Sequence, residues 1–206
     1  PEINGTPRGL AWDGQYMWVA DYTYRRVYQL EPSSGQIVNS FGVPSSPYDL
    51  AWDGSGIWVL RSGADGNVIT RYDPGGTAVA EFTTPASPKE YSLAWDGTFL
   101  WTVTNQVPAT VKAYDTEGVP RYQFGGAGSS SYGGLTWDGA DFWFSPYGDP
   151  VRVDSGRAPW LSVAPRKGLV DGKDYADLAV SFNAAGLSDG DYSTTLCVSS
   201  NDLETP

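Results

Sequence analysis

The chain has 206 residues and a formal net charge of −11, with no histidine and a single cysteine, Cys197. A strongly acidic chain lacks the basic face that displaces counterions from phosphate, so we expect no binding to nucleic acid. Without histidine there is no Ser-His-Asp triad, and a single cysteine forms no internal disulfide. No run of about 18 apolar residues is present, so we expect no membrane insertion.

A short segment containing Trp-Asp-Gly occurs four times in the chain. It reads GLAWDG from Gly9, DLAWDG from Asp49, SLAWDG from Ser92 and GLTWDG from Gly134. Its tryptophan, here called the anchor tryptophan, recurs roughly every 42 residues, and a second tryptophan follows six positions later. The anchors are Trp12, Trp52, Trp95 and Trp137, and the second tryptophans are Trp18, Trp58, Trp101 and Trp143.

The first repeat shows how each unit is built. Turn residues separate four short segments rich in β-forming residues: Arg8–Trp12, Tyr16–Ala20, Arg26–Leu30 and Gln36–Phe41. The Asp-Gly pair after the anchor predicts a tight hairpin. Four antiparallel strands that repeat about every 42 residues are typical of propeller blades, which here start near residues 8, 48, 91 and 132. A β-solenoid is the alternative, although its coils are usually shorter and less aromatic.

The order of segments GLAWDG, YMWVAD, RRVYQL and QIVNSF resembles the NHL and YWTD types of β-propeller repeat. It is most similar to the Trp-Asp-Gly variants found in secreted prokaryotic proteins. The resemblance covers residues 1–157 and implies that the GLAWDG strand is innermost and the strand ending in phenylalanine outermost. The fourth unit lacks its outer segment. Three arrangements stay open: a four-bladed ring with one incomplete blade, further blades upstream of Pro1, or a ring completed by two chains.

From Ala158 the repeat gives way to a different pattern. Alternating apolar positions predict strands near residues 161–163, 178–182 and 192–198. The segments WLSV, GDY and SND resemble bacterial immunoglobulin-like modules related to BACON and choice-of-anchor domains, in which one more strand usually follows. The predicted fold is therefore all-β: a β-propeller with four visible four-stranded blades, the last incomplete, over residues 1–157, and a small immunoglobulin-like β-sandwich lacking its last strand over residues 158–206.

Candidate ligand-binding residues recur about four positions before the anchor tryptophans: Arg8, Tyr48, Tyr91 and Tyr132. By analogy with NHL propellers they lie at one mouth of the central channel, where flat rings with polar tips suit a sugar or a peptide. The alternative is that these rings only pack against the next blade. The irregular loops between second and third strands are expected to share this mouth and to contribute Tyr24, Arg25, Arg61, Asn105 and Tyr147.

Metal and catalytic sites have less support in the sequence. The aspartates of the repeated segment, Asp13, Asp53, Asp96 and Asp138, are each followed by glycine, which favours a turn cap over a Ca²⁺ ligand. Asp65, in the segment Asp-Gly-Asn, gives the best match to a local calcium-binding loop. We expect no cofactor, with a bound Ca²⁺ ion as a minor alternative. No carboxylate pair stands out as general acid and base, so we expect no catalytic residues and no enzyme.

These features favour a non-catalytic binding or scaffold region of a secreted or cell-surface prokaryotic protein, located outside the cell and binding a protein or a glycan. One alternative is an enzyme that uses channel carboxylates or a metal. Another is a structural subunit of an extracellular assembly, because the fourth unit and the C-terminal domain each present an unfinished sheet edge. We expect a strand from upstream sequence or from another copy to cover at least one edge.

Overall fold

The computed structural model describes residues 3–106, 109–125, 133–139, 141–145, 151–153, 161–164 and 179–182. All helix or strand structure in these segments is β-strand. No helix that is long and apolar enough to span a membrane occurs in this part of the chain. The chain divides into two compact units, Pro1–Val153 and Asp154–Pro206, a few residues before the boundary expected after residue 157.

The first unit consists of successive antiparallel sheets, one for each sequence repeat. Sheet 1 contains β1 (Pro7–Trp12), β2 (Met17–Asp21), β3 (Arg26–Leu30) and β4 (Ile37–Gly42). Sheet 2 contains β5 (Pro47–Trp52), β6 (Ile57–Arg61), β7 (Val68–Tyr72) and β8 (Ala78–Thr83). Sheet 3 contains β9 (Glu90–Trp95), β10 (Leu100–Thr104), β11 (Thr110–Tyr114) and β12 (Pro120–Gly125). In the described residues sheet 4 has three strands, β13 (Leu135–Trp137), β14 (Phe142–Phe144) and β15 (Val151–Val153). Each sheet is a meander in chain order, which confirms the predicted repeat architecture.

The Trp-Asp-Gly segment builds the first hairpin of each sheet. In sheet 2 the Oδ1 atom of Asp53 accepts hydrogen bonds from the backbone N–H groups of Ser55 and Gly56, at 2.9 and 2.8 Å. Its Oδ2 atom accepts one from Nε1 of Trp58, at 2.8 Å. The same aspartate–indole bond joins Asp13 to Trp18, Asp96 to Trp101 and Asp138 to Trp143. One local turn therefore explains the fixed spacing between the aspartate and the second tryptophan.

These turns require glycine, and in sheet 2 the aspartate is held in its ionised form. The glycines that follow the four aspartates have φ between 93° and 103°, a left-handed conformation that strains other residues. Partial burial opposes ionisation of Asp53, but hydrogen bonds, foremost that from Arg71, outweigh this effect and lower the pKa of Asp53 to about 2. The aspartates of the repeat are thus turn caps.

Neighbouring sheets pack face to face through the two tryptophans of the repeat. The rings of Trp18 in sheet 1 and Trp52 in sheet 2 are stacked, with centroids 6.2 Å apart and an interplanar angle of 13°. A leucine two positions before the anchor enters each core between sheets; these leucines are Leu50, Leu93 and Leu135. The apolar cores of the first unit therefore lie between consecutive sheets, with side chains from both.

The outer strands pack on glycines of the next sheet. A Cβ atom on Gly76 would lie 2.5 Å from Cβ of Phe41 in sheet 1. A Cβ atom on Gly118 would lie 2.6 Å from Cβ of Phe82 in sheet 2. Both glycines also have positive φ. The phenylalanine that ends the fourth strand therefore fits against the turn between third and fourth strands of the following sheet.

In the second unit the structure describes two strands, β16 (Leu161–Ala164) and β17 (Ala179–Phe182). They pair antiparallel, with Leu161 opposite Phe182. Both lie within segments predicted to be extended. The third predicted strand, residues 192–198, and Cys197 within it, lie outside the described residues. The immunoglobulin-like arrangement of this unit stays a prediction.

Candidate functional site

The first strands of the sheets meet at the centre of the first unit. Strand β5 contacts both β1 and β9, and β9 also contacts β13. Where these strands begin, they enclose a pocket of about 400 Å³. Its lining residues are Arg8, Tyr48, Asp49, Tyr91, Ser92, Gly133 and Gly134. Small-molecule sites in proteins usually have volumes of about 300–1,000 Å³, so the pocket is large enough for a small ligand.

A row of aromatic side chains from three sheets leads to the pocket, which two of them, Tyr48 and Tyr91, line. The ring centroids of Tyr48 and Tyr91 lie 4.8 Å apart, and those of Tyr22 and Tyr48 lie 5.8 Å apart. Tyr48 and Tyr91 begin inner strands at matching positions of the repeat, whereas Tyr22 lies in the loop after β2. All three rings are half-buried. Each therefore retains accessible surface at this end of the inner strands.

Arg8 adds a positive charge to this row. Its Cζ atom lies 4.2 Å from the ring centroid of Tyr22 and 5.9 Å from that of Tyr48, so both rings make cation–π contacts with the guanidinium. The side chain is exposed, and among described residues it has neither a carboxylate partner nor a hydrogen-bond acceptor. Its donors are therefore available to a ligand in the pocket.

Asp49 is the acidic residue among the described lining residues. It accepts hydrogen bonds from its neighbour Leu50, at 2.9 Å, and from the backbone N–H of Leu93 in sheet 3, at 2.8 Å. Although one side of Asp49 borders the pocket, its carboxyl is closely surrounded by protein. Burial therefore raises the pKa of Asp49 to about 7, and the two hydrogen bonds oppose that shift only in part. Near neutral pH the protonated and ionised forms of this carboxyl are therefore both populated.

The position three residues before each anchor connects neighbouring inner strands. It is Gly9 in β1, where a Cβ atom would lie 2.5 Å from Cα of Asp49. In β9 it is Ser92, whose Oγ donates a hydrogen bond to the carbonyl of Gly133. The glycine permits close approach of β1 to β5, and the polar side chains of Asp49 and Ser92 join β5 to β9 and β9 to the next repeat.

The loop residues expected at the mouth do not line the described pocket. Arg61 is buried and donates to Oγ1 of Thr70, Oε2 of Glu81 and Oγ of Ser45, at 3.2, 2.7 and 3.1 Å. Its guanidinium therefore supports packing within and beside sheet 2. The remaining described members of this group are absent from the pocket lining as well; they are Tyr24, Arg25 and Asn105.

Three other candidates contribute no site in the described residues. Tyr132 and Tyr147 lie outside them. Asp65 is exposed, and the neighbouring Asn67 is buried with its amide bonded to the carbonyl of Glu90. In the part of the chain that the structure describes, no cluster of three His, Cys, Asp or Glu residues is placed to hold a metal ion.

Glu90, next to Tyr91 in the chain, carries a fully buried carboxylate that does not line the pocket. Glu90 accepts hydrogen bonds from Tyr114 Oη at 2.6 Å and from Lys112 Nζ at 3.2 Å. Burial, and then the charge of Glu90, raise the pKa of Tyr114 above its ordinary value. Glu90 is on β9 and its two partners are on β11, so these hydrogen bonds reach across the intervening strand β10 and stabilise sheet 3.

The sequence predicted Arg8, Tyr48 and Tyr91 as ligand-binding residues, and the structure brings these three together around one pocket, while their role in binding stays a prediction. It missed Tyr22, Asp49 and Ser92. Asp49 and Ser92 occupy the position that is glycine in the other two repeats, so a departure from glycine inside the repeated motif was the available signal. Tyr22 carries no comparable signal because its loop is irregular.

No protein-family model matches the chain, and no curated protein matches it in sequence. Several solved structures match its fold. The glutaminyl cyclase of Myxococcus xanthus has a TM-score of 0.61 at 13% identity, over 73% of this chain and 66% of that one. The WD40 repeats of RRP9 have a TM-score of 0.52 at 13% identity, over 75% and 49%. WD40 repeats are blades of propellers. The first unit has a β-propeller fold.

A streptogramin B lyase also matches, with a TM-score of 0.54 at 19% identity, over 73% of this chain and 52% of that one. The chain thus spans between about half and two thirds of the length of these three propellers. Likeness at this level of identity extends to the fold alone, because propellers carry many unrelated activities. The sheets described above are accordingly blades, and β1, β5, β9 and β13 are their inner strands.

Proposed function

We propose that the propeller is a non-catalytic binding module and that its ligand is a saccharide held in the pocket at the start of the inner strands. The row formed by Arg8, Tyr22, Tyr48 and Tyr91, of which all but Tyr22 line the pocket, carries the proposal. Aromatic faces bury the apolar face of a sugar ring, while guanidinium and phenol groups bond to its hydroxyls. The proposed setting is an extracellular or cell-surface protein, supported by the acidic charge and the resemblance to repeats of secreted proteins.

A short peptide is the other ligand class considered for this mouth. Peptide recognition commonly relies on apolar subsites for alternate side chains. The described lining of the pocket has arginine, tyrosine, aspartate, serine and glycine but no aliphatic side chain. This composition favours a ring with many hydroxyl groups over a peptide.

The proposal is tested by removing two rings together. We expect the double variant Tyr48→Ala, Tyr91→Ala to bind its saccharide at least about tenfold more weakly, because two stacking surfaces are lost. The matched control is Tyr24→Ala. This variant also removes a tyrosine ring, but that ring is exposed and does not line the pocket. A glycan array identifies the ligand, and isothermal titration then measures the affinities.

Unchanged affinity in the double variant would show that the site is elsewhere. If no glycan binds the wild-type chain, the saccharide proposal fails, and a peptide library screened in parallel decides whether the pocket takes a peptide. Thermal unfolding of each variant separates loss of binding from loss of folding.

Asp49 favours a second candidate function, general acid–base chemistry in the pocket. A carboxyl with a pKa near neutrality is suited to proton transfer, and such groups are concentrated at active sites. Against this, both oxygens of Asp49 accept backbone hydrogen bonds, and no other carboxylate lines the described pocket. If the wild-type chain alters the bound saccharide chemically and the Asp49→Asn variant leaves it intact, the chain is an enzyme. If the saccharide is recovered unaltered from the wild-type chain, the result supports the binding module.

A further inference from the structure

Arg8 differs from most of the described arginines because it has no acidic partner. The chain has 24 acidic and 13 basic residues, so an arginine is expected to find a carboxylate. Arg8 and Arg25 have neither a carboxylate partner nor a hydrogen-bond acceptor among the described residues, and of these two only Arg8 lines the pocket. Arg26 donates to Oγ of Ser40, and the other described arginines each pair with a carboxylate: Arg61, Arg71, Arg121 and Arg152.

Two tyrosine rings hold the guanidinium of Arg8 beside the pocket. Its Cζ atom lies 4.2 Å from the ring centroid of Tyr22 and 5.9 Å from that of Tyr48. A ring face attracts a cation but is not an oxygen acceptor, so these contacts leave the five N–H donors of Arg8 for the oxygens of a ligand. The rings also replace part of the surrounding water, which strengthens the attraction between the guanidinium and an anion.

The acidic side chain of the pocket does not neutralise Arg8. Asp49 forms no ion pair with it, because its two carboxyl oxygens accept the backbone N–H groups of Leu50 and Leu93. Burial raises the pKa of Asp49 to about 7, so below neutral pH this carboxyl is mostly uncharged. Under these conditions Arg8 is the one charged side chain in the described lining, and the pocket carries a positive charge.

We propose that the saccharide carries an anionic group, a carboxylate or a sulfate ester, and that Arg8 binds this group while Tyr48 and Tyr91 contact the sugar ring. The inference rests on the proposed function, since it names the class of saccharide. A planar guanidinium presents pairs of N–H donors that match two oxygens of such a group. Hydrogen bonds between charged groups are also stronger than those to neutral hydroxyls, so an acidic sugar binds more tightly than its neutral counterpart.

The net charge of the chain makes this preference a property of the pocket. A chain with a formal net charge of −11 repels an acidic ligand at long range, and salt at physiological strength screens that repulsion beyond about 8 Å. Nonspecific attraction therefore cannot account for the binding of an acidic sugar. The preference should disappear when Arg8 loses its charge.

The first measurement compares saccharides that differ in one substituent. Oligosaccharides of glucose, galactose and mannose are each paired with the corresponding uronate and with the form sulfated at O6. Isothermal titration at about pH 6 is suitable, because Asp49 is then mostly protonated whereas a uronate is ionised. We expect the wild-type chain to bind at least one acidic form about tenfold or more tightly than its neutral counterpart. The uronate and the sulfated form distinguish the two anionic groups.

The second measurement removes the charge of Arg8. The variant Arg8→Gln should bind the acidic saccharide at least about tenfold more weakly and its neutral counterpart less than about threefold more weakly. The matched control is Arg25→Gln, which changes the net charge equally at an exposed arginine outside the pocket and should bind both saccharides as wild type does. Both arginines are exposed, so the fold should tolerate either change, and thermal unfolding checks this.

The possible outcomes separate this inference from the proposed function. If the wild-type chain binds acidic and neutral saccharides equally, and Tyr48→Ala, Tyr91→Ala weakens both, the anionic preference is wrong and the proposed function stands. A preference that persists in Arg8→Gln, or that Arg25→Gln also abolishes, overturns the role of Arg8. If no saccharide of either kind binds, the proposed function fails and this inference fails with it.

Discussion

At the scale of single residues, the repeated aspartate acts in the same way in each blade but in different surroundings. Asp96 and Asp138 both accept an indole N–H and a backbone N–H across the same turn. The indole of Trp101 is buried between blades, whereas that of Trp143 is open to water. A polar group left unpaired is costly only where water cannot replace the lost partner.

This difference predicts unequal costs for one substitution. We expect Asp96→Ala to lower the free energy of unfolding by about 2–4 kcal/mol, because a buried indole N–H and turn N–H groups lose their acceptor. Asp138→Ala should cost about 1 kcal/mol, since water can bond to the exposed indole. Urea unfolding followed by tryptophan fluorescence measures both. Equal costs would mean that the indole bond contributes little and that the turn N–H groups carry the effect.

At the scale of strands, the inner strands are joined by side-chain bonds as well as by apolar packing. Asp49 on β5 accepts the backbone N–H of Leu93 on β9, and Ser92 on β9 donates to the carbonyl of Gly133. These bonds cross between blades, where no backbone ladder exists. Asp49 therefore helps to align β5 with β9, and with it to place Tyr48 beside Tyr91, while Ser92 helps to align β9 with the next repeat.

The Asp49 link should make stability depend on pH. Burial raises the pKa of Asp49 from 3.8 to about 7, so the folded chain holds this proton to higher pH than the unfolded chain does. The resulting stabilisation is fully present below about pH 3.8 and is lost as the pH rises through about 7.

Comparison with a variant that cannot titrate isolates this group. We expect the free energy of unfolding of wild type, relative to Asp49→Asn, to fall by on the order of 4 kcal/mol between about pH 4 and pH 8. Guanidinium unfolding at a series of pH values gives the difference, and titration of all other groups cancels in it. A difference that stays constant over this range, or rises, would show that the folded carboxyl is ionised.

At the scale of the whole propeller, each blade is stabilised by its neighbours along the chain. In the described residues, blades 2 and 3 pack against a neighbouring blade on both faces, whereas blades 1 and 4 each pack against one neighbouring blade. Stability in repeat architectures is approximately the sum of the stability of each repeat and that of its interfaces. The inner blades should therefore open less often than the outer ones.

Hydrogen exchange tests this gradient with equivalent strands. Amides of β6 in blade 2 should exchange at least about tenfold more slowly than those of β2 in blade 1, because opening of blade 2 breaks two interfaces. Both strands are second in their sheets and are bonded on both edges, so the local pattern is matched. Equal rates would indicate that the first unit opens as one cooperative body.

Much of the fold could be predicted from the sequence because its determinants are local. The turn that joins Asp53 to Trp58 spans six residues and repeats with its glycine, so a pattern of letters is enough to reveal it. The start of each inner strand follows from the same spacing, which identified Arg8, Tyr48 and Tyr91. Local hydrogen bonds and a fixed left-handed glycine leave the hairpin few alternatives.

Contacts between blades could be decided only by the tertiary structure. Asp49 accepts a hydrogen bond from Leu93, 44 positions away in the chain, and Arg61 donates hydrogen bonds to Ser45 and Glu81 in other segments. Leu10 and Leu50 occupy the same place in the same motif, yet one is exposed and the other is buried. The motif determines which way a side chain points. Only the presence or absence of a neighbouring sheet determines whether it meets protein or water, because burial is a property of distant parts of the chain.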